Sequence, residues 1–153
     1  MTDLENQEKI KDYMKIYNLK YYKENQEKIY IKTKNYQKNK KQKDPIFKLR
    51  CNIKNLIYIS IKKQGYSKKS KTFEILGCSY EDFKKHLERQ FKKGMTWNNQ
   101  GEWHLDHIYP VSLAKDEHEV IKLNHYTNFQ PLWAKDNLEK HNKIIENTQI
   151  KLI

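Results

Sequence analysis

The sequence is poor in residues that bend, break or cross-link the backbone. Its 153 residues include 4 Gly and 3 Pro, and neither type occurs before Pro45. The two cysteines, Cys51 and Cys78, belong to no CxxC pair, so no disulfide framework or zinc-ribbon signature is present. Both cysteines are better interpreted as small, buried apolar side chains.

Long apolar runs are also lacking. No stretch approaches the roughly 20 apolar residues of a membrane span. The N-terminus, MTDLENQEKIKDY, has no apolar segment of the kind that opens a secretory signal. We therefore expect no membrane partner and an intracellular, cytoplasmic location, which would be the host cytoplasm for a viral chain. The length fits one compact domain with attachments, because an apolar content of 37% and a charged content of 33% leave only a modest core.

Acidic residues are scarce in the first half of the chain. Residues 1–43 contain 12 Lys against 6 Asp and Glu, and residues 44–72 contain 8 Lys and Arg against 1. Residues 73–153 are close to neutral, with 11 basic and 12 acidic side chains. A basic segment joined to a neutral one is expected when the basic segment binds a polyanion and the neutral segment acts on it. A merely solvated lysine-rich helix is the alternative.

Residues 1–43 are predicted to form a basic helical repeat arm. The hexapeptide ENQEKI occurs at Glu5–Ile10 and again at Glu24–Ile29. Apolar and aromatic residues recur at helical spacing through the first copy. They are Ile10, Tyr13, Met14, Tyr17 and Tyr21. The tyrosines could stack on nucleic-acid bases or pack between helices, and the sequence leaves both readings open.

Residues 44–94 are predicted to form a second basic helical region that contacts DNA or packs against the rest. Asp44 and Pro45 are typical of a helix start. Ser79 and Asp82 resemble a capping box that opens a later helix, and Gly94 is expected to close it.

From Met95 onward the pattern changes to strand, loop, strand and helix. Strands are expected at 103–108 and 127–132, a short helix at 115–123 between them, and a last helix at about 134–145. The predicted fold class is therefore α+β, with a mainly helical N-terminal arm followed by a small unit at 95–153.

Polar side chains suited to catalysis cluster within 38 residues of this unit. They are His104, Asp106, His107, His125, Asn128, Asn137 and His141. Asp106 can give an anionic oxygen to a hard cation, and His107 can act as a general base near neutral pH. Neighbours on a strand point to opposite faces, so the strand must end or twist there for both to serve one phosphate. Pro110 is consistent with such an end.

The segments HLDHIYP, HYTNFQPLW and KDNLEKHNK resemble the three-part motif of the HNH endonucleases, or ββα-metal nucleases. The resemblance covers about residues 95–145. Many family members carry CxxC pairs for a structural zinc, whereas Trp133 and Asp136 stand where one such pair would fall. The chain is therefore similar to a zinc-free, phage-type subclass, with a ββα-metal nuclease unit at 95–153 and no structural zinc.

This resemblance implies roles for individual residues. Asp106 and Asn137 would bind one divalent metal, Mg²⁺ or alternatively Mn²⁺, while His107 activates water. Asn128 would brace the loop and orient His107. His141, one helical turn after Asn137, and His104, on the strand face of Asp106, are the alternative metal ligands.

The implied function is a metal-dependent endonuclease that hydrolyses phosphodiester bonds, with double-stranded DNA as the expected partner. Six lysines are the expected phosphate contacts: Lys62, Lys63, Lys68, Lys69, Lys140 and Lys143. One site per chain favours a nick, and a dimer formed through the helical arm would be needed for paired cuts. A non-catalytic nucleic-acid-binding protein is the first alternative. A structural zinc protein using His104, His107, His125 and His141 is the second.

Overall fold

The computed structural model describes residues 3–144, with side chains from Glu5 onward. The described residues divide into two units, with the boundary between Lys43 and Asp44. In the first, helix α1 (Asp3–Lys43) runs for 41 residues and includes both ENQEKI copies. Tyr13, Tyr17 and Tyr21 form a stacked, exposed row along it, with successive ring centroids 6.4 Å apart. The predicted aromatic stripe is therefore one face of a continuous helix.

The second unit is a small α+β domain. Its helices are α2 (Pro45–Lys63), α3 (Thr72–Leu76), α4 (Tyr80–Glu88), α5 (Glu117–Lys122) and α6 (Ala134–Lys140). Its strands are β1 (Trp103–His107) and β2 (Phe129–Trp133). The strands pair antiparallel, with Trp103 opposite Trp133 and His107 opposite Phe129. The predicted α+β class is thus confirmed.

Helix α2 is the central element of this core. Asp44 caps its start by accepting a hydrogen bond from the Phe47 amide at 2.9 Å, and Pro45 occupies the first turn. Its buried face consists of Leu49, Ile53, Ile57 and Ile61. That face packs in one hydrophobic cluster with residues of α3, α4, α5 and β2, so 44–94 and 95–153 share a core.

Helix α4 starts as predicted and ends earlier than predicted. The Ser79 hydroxyl accepts a hydrogen bond from the Asp82 amide at 3.0 Å, which is the expected cap. The helix ends at Glu88, because the amides of Gln90 and Phe91 bond three residues back and tighten the last turn. The prediction that Gly94 closes this helix was therefore wrong.

The strand and helix ends near the candidate site also differ from the prediction. Residues 126–128 form a 3₁₀ turn, so β2 begins at Phe129 rather than at Thr127. Helix α6 ends at Lys140 because His141 adopts a positive φ of 48°, which cannot continue a right-handed helix. The expected helix end at Ile145 lies outside the described residues. Among residues 3–144, no helix is long and apolar enough to cross a membrane.

Candidate functional site

Asp106 and His107 line the same pocket, which has a volume of about 650 Å³. They lie at the end of β1, where the strand gives way to a bend before Pro110. Lys140 and His141, at the end of α6, line this pocket as well. Further along the lining, α2 contributes Asn52, Asn55, Leu56, Ile59, Ser60 and Lys63. Because β1 ends there, two adjacent side chains reach one cavity, which is the condition for both to act on one phosphate.

The His107 imidazole is held by Asn124, which is fully buried. Asn124 donates through Nδ2 to the Val120 carbonyl at 2.8 Å, so its Oδ1 is the atom 3.1 Å from Nε2 of His107. An amide oxygen can only accept, and His107 therefore carries its proton on Nε2. Nδ1 is left as the ring nitrogen that can accept a proton. Phe129 packs against the ring with centroids 4.4 Å apart.

Burial lowers the pKa of His107 from 6.5 to about 4. The hydrogen bond to Asn124 and the charge of Asp106 raise this pKa, and the charge of Lys140 lowers it, but burial dominates. At neutral pH the ring is therefore uncharged, which is the state a general base needs.

This lowered pKa predicts a pH dependence of stability. Between pH 6.5 and about 4 the unfolded chain binds a proton at His107 more readily than the folded protein does. We expect the free energy of unfolding to fall by about 3 kcal/mol as the pH drops through this window. Urea unfolding at several pH values measures the effect. His107→Gln should flatten this part of the profile, and an unchanged slope in that variant would contradict the assignment.

Asp106 forms an almost fully buried ion pair with Lys140. The Lys140 ammonium lies 3.0 Å from Oδ2 of Asp106, and their side chains are 2% and 12% exposed. Lys140 also donates to the His107 carbonyl at 2.7 Å, and Gln130 donates to Oδ2 of Asp106 at 3.0 Å. These contacts fix the carboxylate at the pocket wall. They also place a cation beside it.

The predicted second metal ligands fall into two groups. Asn137, on α6, has its amide nitrogen 3.1 Å from Nδ1 of His104, which shares a strand face with Asp106. His141 instead lines the pocket that Asp106 and His107 line. The structure therefore brings His104 together with Asn137, and His141 together with Asp106.

Asn128 braces the loop that follows β1. Its side chain accepts from the Tyr109 amide at 2.8 Å, and it donates to the carbonyls of Tyr109 and Leu123 at 3.0 and 2.7 Å. Its own carbonyl accepts from the Ile108 amide at 2.8 Å. The direct partner of the His107 ring is Asn124, whereas Asn128 holds the backbone just after it.

The six lysines predicted to contact phosphate occupy different environments. Lys140 is buried in the ion pair, whereas Lys143 is exposed. Lys63 lines the pocket of Asp106, and Lys62 lies over the Tyr58 ring at 5.8 Å from its centroid. Lys68 and Lys69 line a separate recess beside α2. These lysines therefore do not form one surface.

Sequence reasoning missed three residues that touch the site. Asn124 holds the His107 ring, Gln130 bonds Asp106, and Ser60 of α2 lies 2.9 Å from Oδ1 of Asn124. Gln130 could have been found, because it pairs with Asp106 once the strand register is known. Asn124 has no such signal, since its role depends on the packing of α5 beside α2.

No group of three or more His, Cys, Asp or Glu side chains that could hold a metal occurs within residues 5–144. A magnesium site needs less, because Mg²⁺ keeps several waters and takes one or two carboxylates with other oxygen donors. The Cys78 thiol has its pKa raised to about 11 by burial and by Asp82. It therefore stays protonated at neutral pH, when it is a poor metal ligand.

No family model and no solved structure matches this chain. It is similar to two proteins of Acanthamoeba polyphaga mimivirus. Uncharacterized protein L246 is 33% identical over 135 residues, which covers 79% of this chain and 58% of the relative. Uncharacterized protein L426 is 33% identical over 111 residues, with 71% and 48% covered. The chain thus spans about half the length of these relatives. Neither name carries an activity.

Proposed function

We propose that this protein is a metal-dependent endonuclease of the HNH type that hydrolyses phosphodiester bonds, with DNA as its substrate. The observation that carries the proposal is the pairing of a neutral, oriented imidazole with a fixed carboxylate in one pocket. His107 and Asp106 are adjacent, and both line the cavity between β1, α6 and α2. The sequence resemblance assigns roles to the same two residues, with Asp106 as a metal ligand and His107 as the general base.

His107 would accept a proton from the attacking water. Its Nε2 is committed to Asn124, so Nδ1 would take that proton while the water oxygen forms its bond to phosphorus. The bond from phosphorus to the 3′ oxygen then breaks, and the leaving oxygen gains a proton from solvent. The products would carry 5′-phosphate and 3′-hydroxyl ends, as the family resemblance implies.

Asp106 supplies an anionic oxygen of the kind that a hard divalent cation takes. Its carboxylate is 12% exposed at a pocket wall. Lys140 and Gln130 both contact Oδ2, so Oδ1 is the oxygen left for a metal. Asp106 would hold the metal, with Asn137 as the second ligand that the resemblance implies and His104 as one alternative. His141 is the alternative that lines the pocket of Asp106. When bound, Mg²⁺ or Mn²⁺ would neutralise the charge that develops on the phosphate and the leaving oxygen.

Asn128 and Asn124 would then be positioning residues. Asn128 ties the backbone at Tyr109 to that at Leu123, which fixes the loop carrying the end of β1. Asn124 selects the tautomer of His107. Their common effect is to keep the proton acceptor in place before substrate binds, which is how a site lowers the cost of reaching its transition state.

The proposal is tested with supercoiled plasmid DNA and the full chain. We expect nicking in Mg²⁺ and none in EDTA, because the reaction needs the metal. DNA ligase should reseal the nick, since it joins a 5′-phosphate to a 3′-hydroxyl. A chain that shifts the plasmid in a gel and cuts it under no divalent metal would instead be a nucleic-acid-binding protein. A nick that ligase does not reseal would contradict the proposed position of bond cleavage.

A further inference from the structure

A strongly basic recess lies beside α2, apart from the pocket of Asp106 and His107. It has a volume of about 400 Å³, and five cationic side chains line it. They are Arg50, Lys54, Lys68, Lys69 and Lys71, and we call this group the basic recess. Four of the five residues are exposed, and Lys68 is partly buried. Five like charges around one concave surface repel one another unless an anion is present.

Few carboxylates offset this charge. Glu117 forms an ion pair with Lys69 at 3.0 Å. Glu74 accepts a hydrogen bond from the Lys71 amide at 2.8 Å, which uses it to cap α3. Residues 44–72 contain 8 basic residues and only Asp44 as an acid, and Asp44 caps α2. The recess therefore keeps a net positive charge.

Two of the five cationic side chains lie over aromatic rings. The Arg50 guanidinium lies over the Tyr80 ring at 5.5 Å from its centroid, and the Lys71 ammonium lies over Phe73 at 5.8 Å. Such contacts orient the cation while leaving its donors free for an anion. Phe73 itself is 47% exposed, so an apolar face accompanies the charge. Lys68 also lines an adjoining recess with Tyr58 and Lys62, which extends the basic surface along α2.

The basic recess and the candidate active site lie on opposite sides of α2. Arg50 and Lys54, one turn apart, line the recess, whereas Asn52 and Lys63 line the other pocket. At about 100° per residue, Lys54 and Lys63 point about 180° apart around the helix axis. A ligand in the recess therefore cannot be the phosphate that Asp106 and His107 would act on.

We infer that the basic recess is a second binding site for the phosphate backbone of nucleic acid, separate from the site of cleavage. The inference rests on the proposed function for the identity of the polyanion. Its chemistry is that of sequence-independent contacts, in which lysine and arginine replace counterions along the backbone. The chain would thus hold its substrate at two places on either side of α2.

The test measures DNA binding under conditions without cleavage. Its outcome therefore does not depend on whether the protein is a nuclease. A fluorescein-labelled DNA duplex of about 20 base pairs is titrated with the full chain in EDTA, at NaCl concentrations from about 50 to 200 mM. The test variant is Lys54→Gln with Lys68→Gln. The matched control is Lys93→Gln with Lys135→Gln, which removes the same charge from exposed positions that line neither the recess nor the candidate active site.

We expect the recess variant to bind the duplex about tenfold or more weakly than wild type, with the slope of log affinity against log salt reduced by about 2. The control should stay close to wild type. Equal losses in both variants would show a general charge effect and overturn the inference, as would unchanged binding in the recess variant. Phosphatidylserine vesicles form a second arm, and a recess variant that loses vesicle binding but keeps duplex binding would also overturn it.

Discussion

Replacing His107 with alanine is expected to lower the single-turnover rate of DNA cleavage by about 10²- to 10⁴-fold. Nδ1 of the neutral ring is the proposed proton acceptor, because Nε2 is bonded to Asn124, and alanine removes that acceptor. DNA binding in EDTA should change little by comparison. Quenched-flow measurement with enzyme in excess over labelled DNA separates the two effects.

His118→Ala is the matched control for this loss. His118 is exposed on α5 and lines neither the pocket nor the basic recess. Free imidazole should restore part of the rate to His107→Ala and none to a variant that is simply misfolded, because the truncation leaves room for a ring between Asn124 and Phe129. Cleavage by His107→Ala at the wild-type rate would remove His107 from the mechanism.

The buried pair of Asp106 and Lys140 gives the second large effect. Asp106→Asn leaves the Lys140 ammonium buried without its carboxylate, and we expect it to lower the free energy of unfolding by about 3–5 kcal/mol. Adding Lys140→Met should recover most of that stability, because the unpaired charge is then gone. Cleavage should stay about 10²-fold or more below wild type in both variants, since neither has the carboxylate that we propose binds the metal.

The double variant separates a role of Asp106 in stability from a role in metal binding. If Asp106 only stabilised the fold, restoring stability would restore activity as well. Urea unfolding gives the stabilities, and single-turnover cleavage over a range of Mg²⁺ concentrations gives the activities. A stable double variant that cuts DNA at the wild-type rate would exclude Asp106 as a metal ligand. An Asp106→Asn variant as stable as wild type would contradict the buried ion pair.

Local chemistry was enough to predict where α2 and α4 begin. Asp44 with Pro45 and Ser79 with Asp82 are signals carried by a few neighbouring residues, and the structure has caps at both places. Helix ends were harder. Gly94 looked like a stop signal, but α4 had already tightened into a short-range turn after Glu88. His141 ends α6 with a positive φ, which is rare for a residue other than glycine.

The candidate site was predictable where the motif names its residues and unpredictable where it depends on tertiary contacts. Asp106 and His107 could be selected from adjacency and from the resemblance. The role of Asn124 could not be, because Ser60 and His107 reach it from 64 and 17 positions away. Lys140 was predicted to contact phosphate, but in the structure it is buried and paired with a carboxylate. Its partner, Asp106, lies on a different element.

Plasmid cleavage by purified wild type and His107→Ala, each in Mg²⁺ and in EDTA, tests most directly whether this protein is a metal-dependent nuclease. We expect wild type to nick or linearise supercoiled plasmid only in Mg²⁺, and His107→Ala to leave the plasmid supercoiled while still binding it. A wild-type protein that binds the plasmid and leaves it intact in both Mg²⁺ and Mn²⁺ would exclude the proposed nuclease activity.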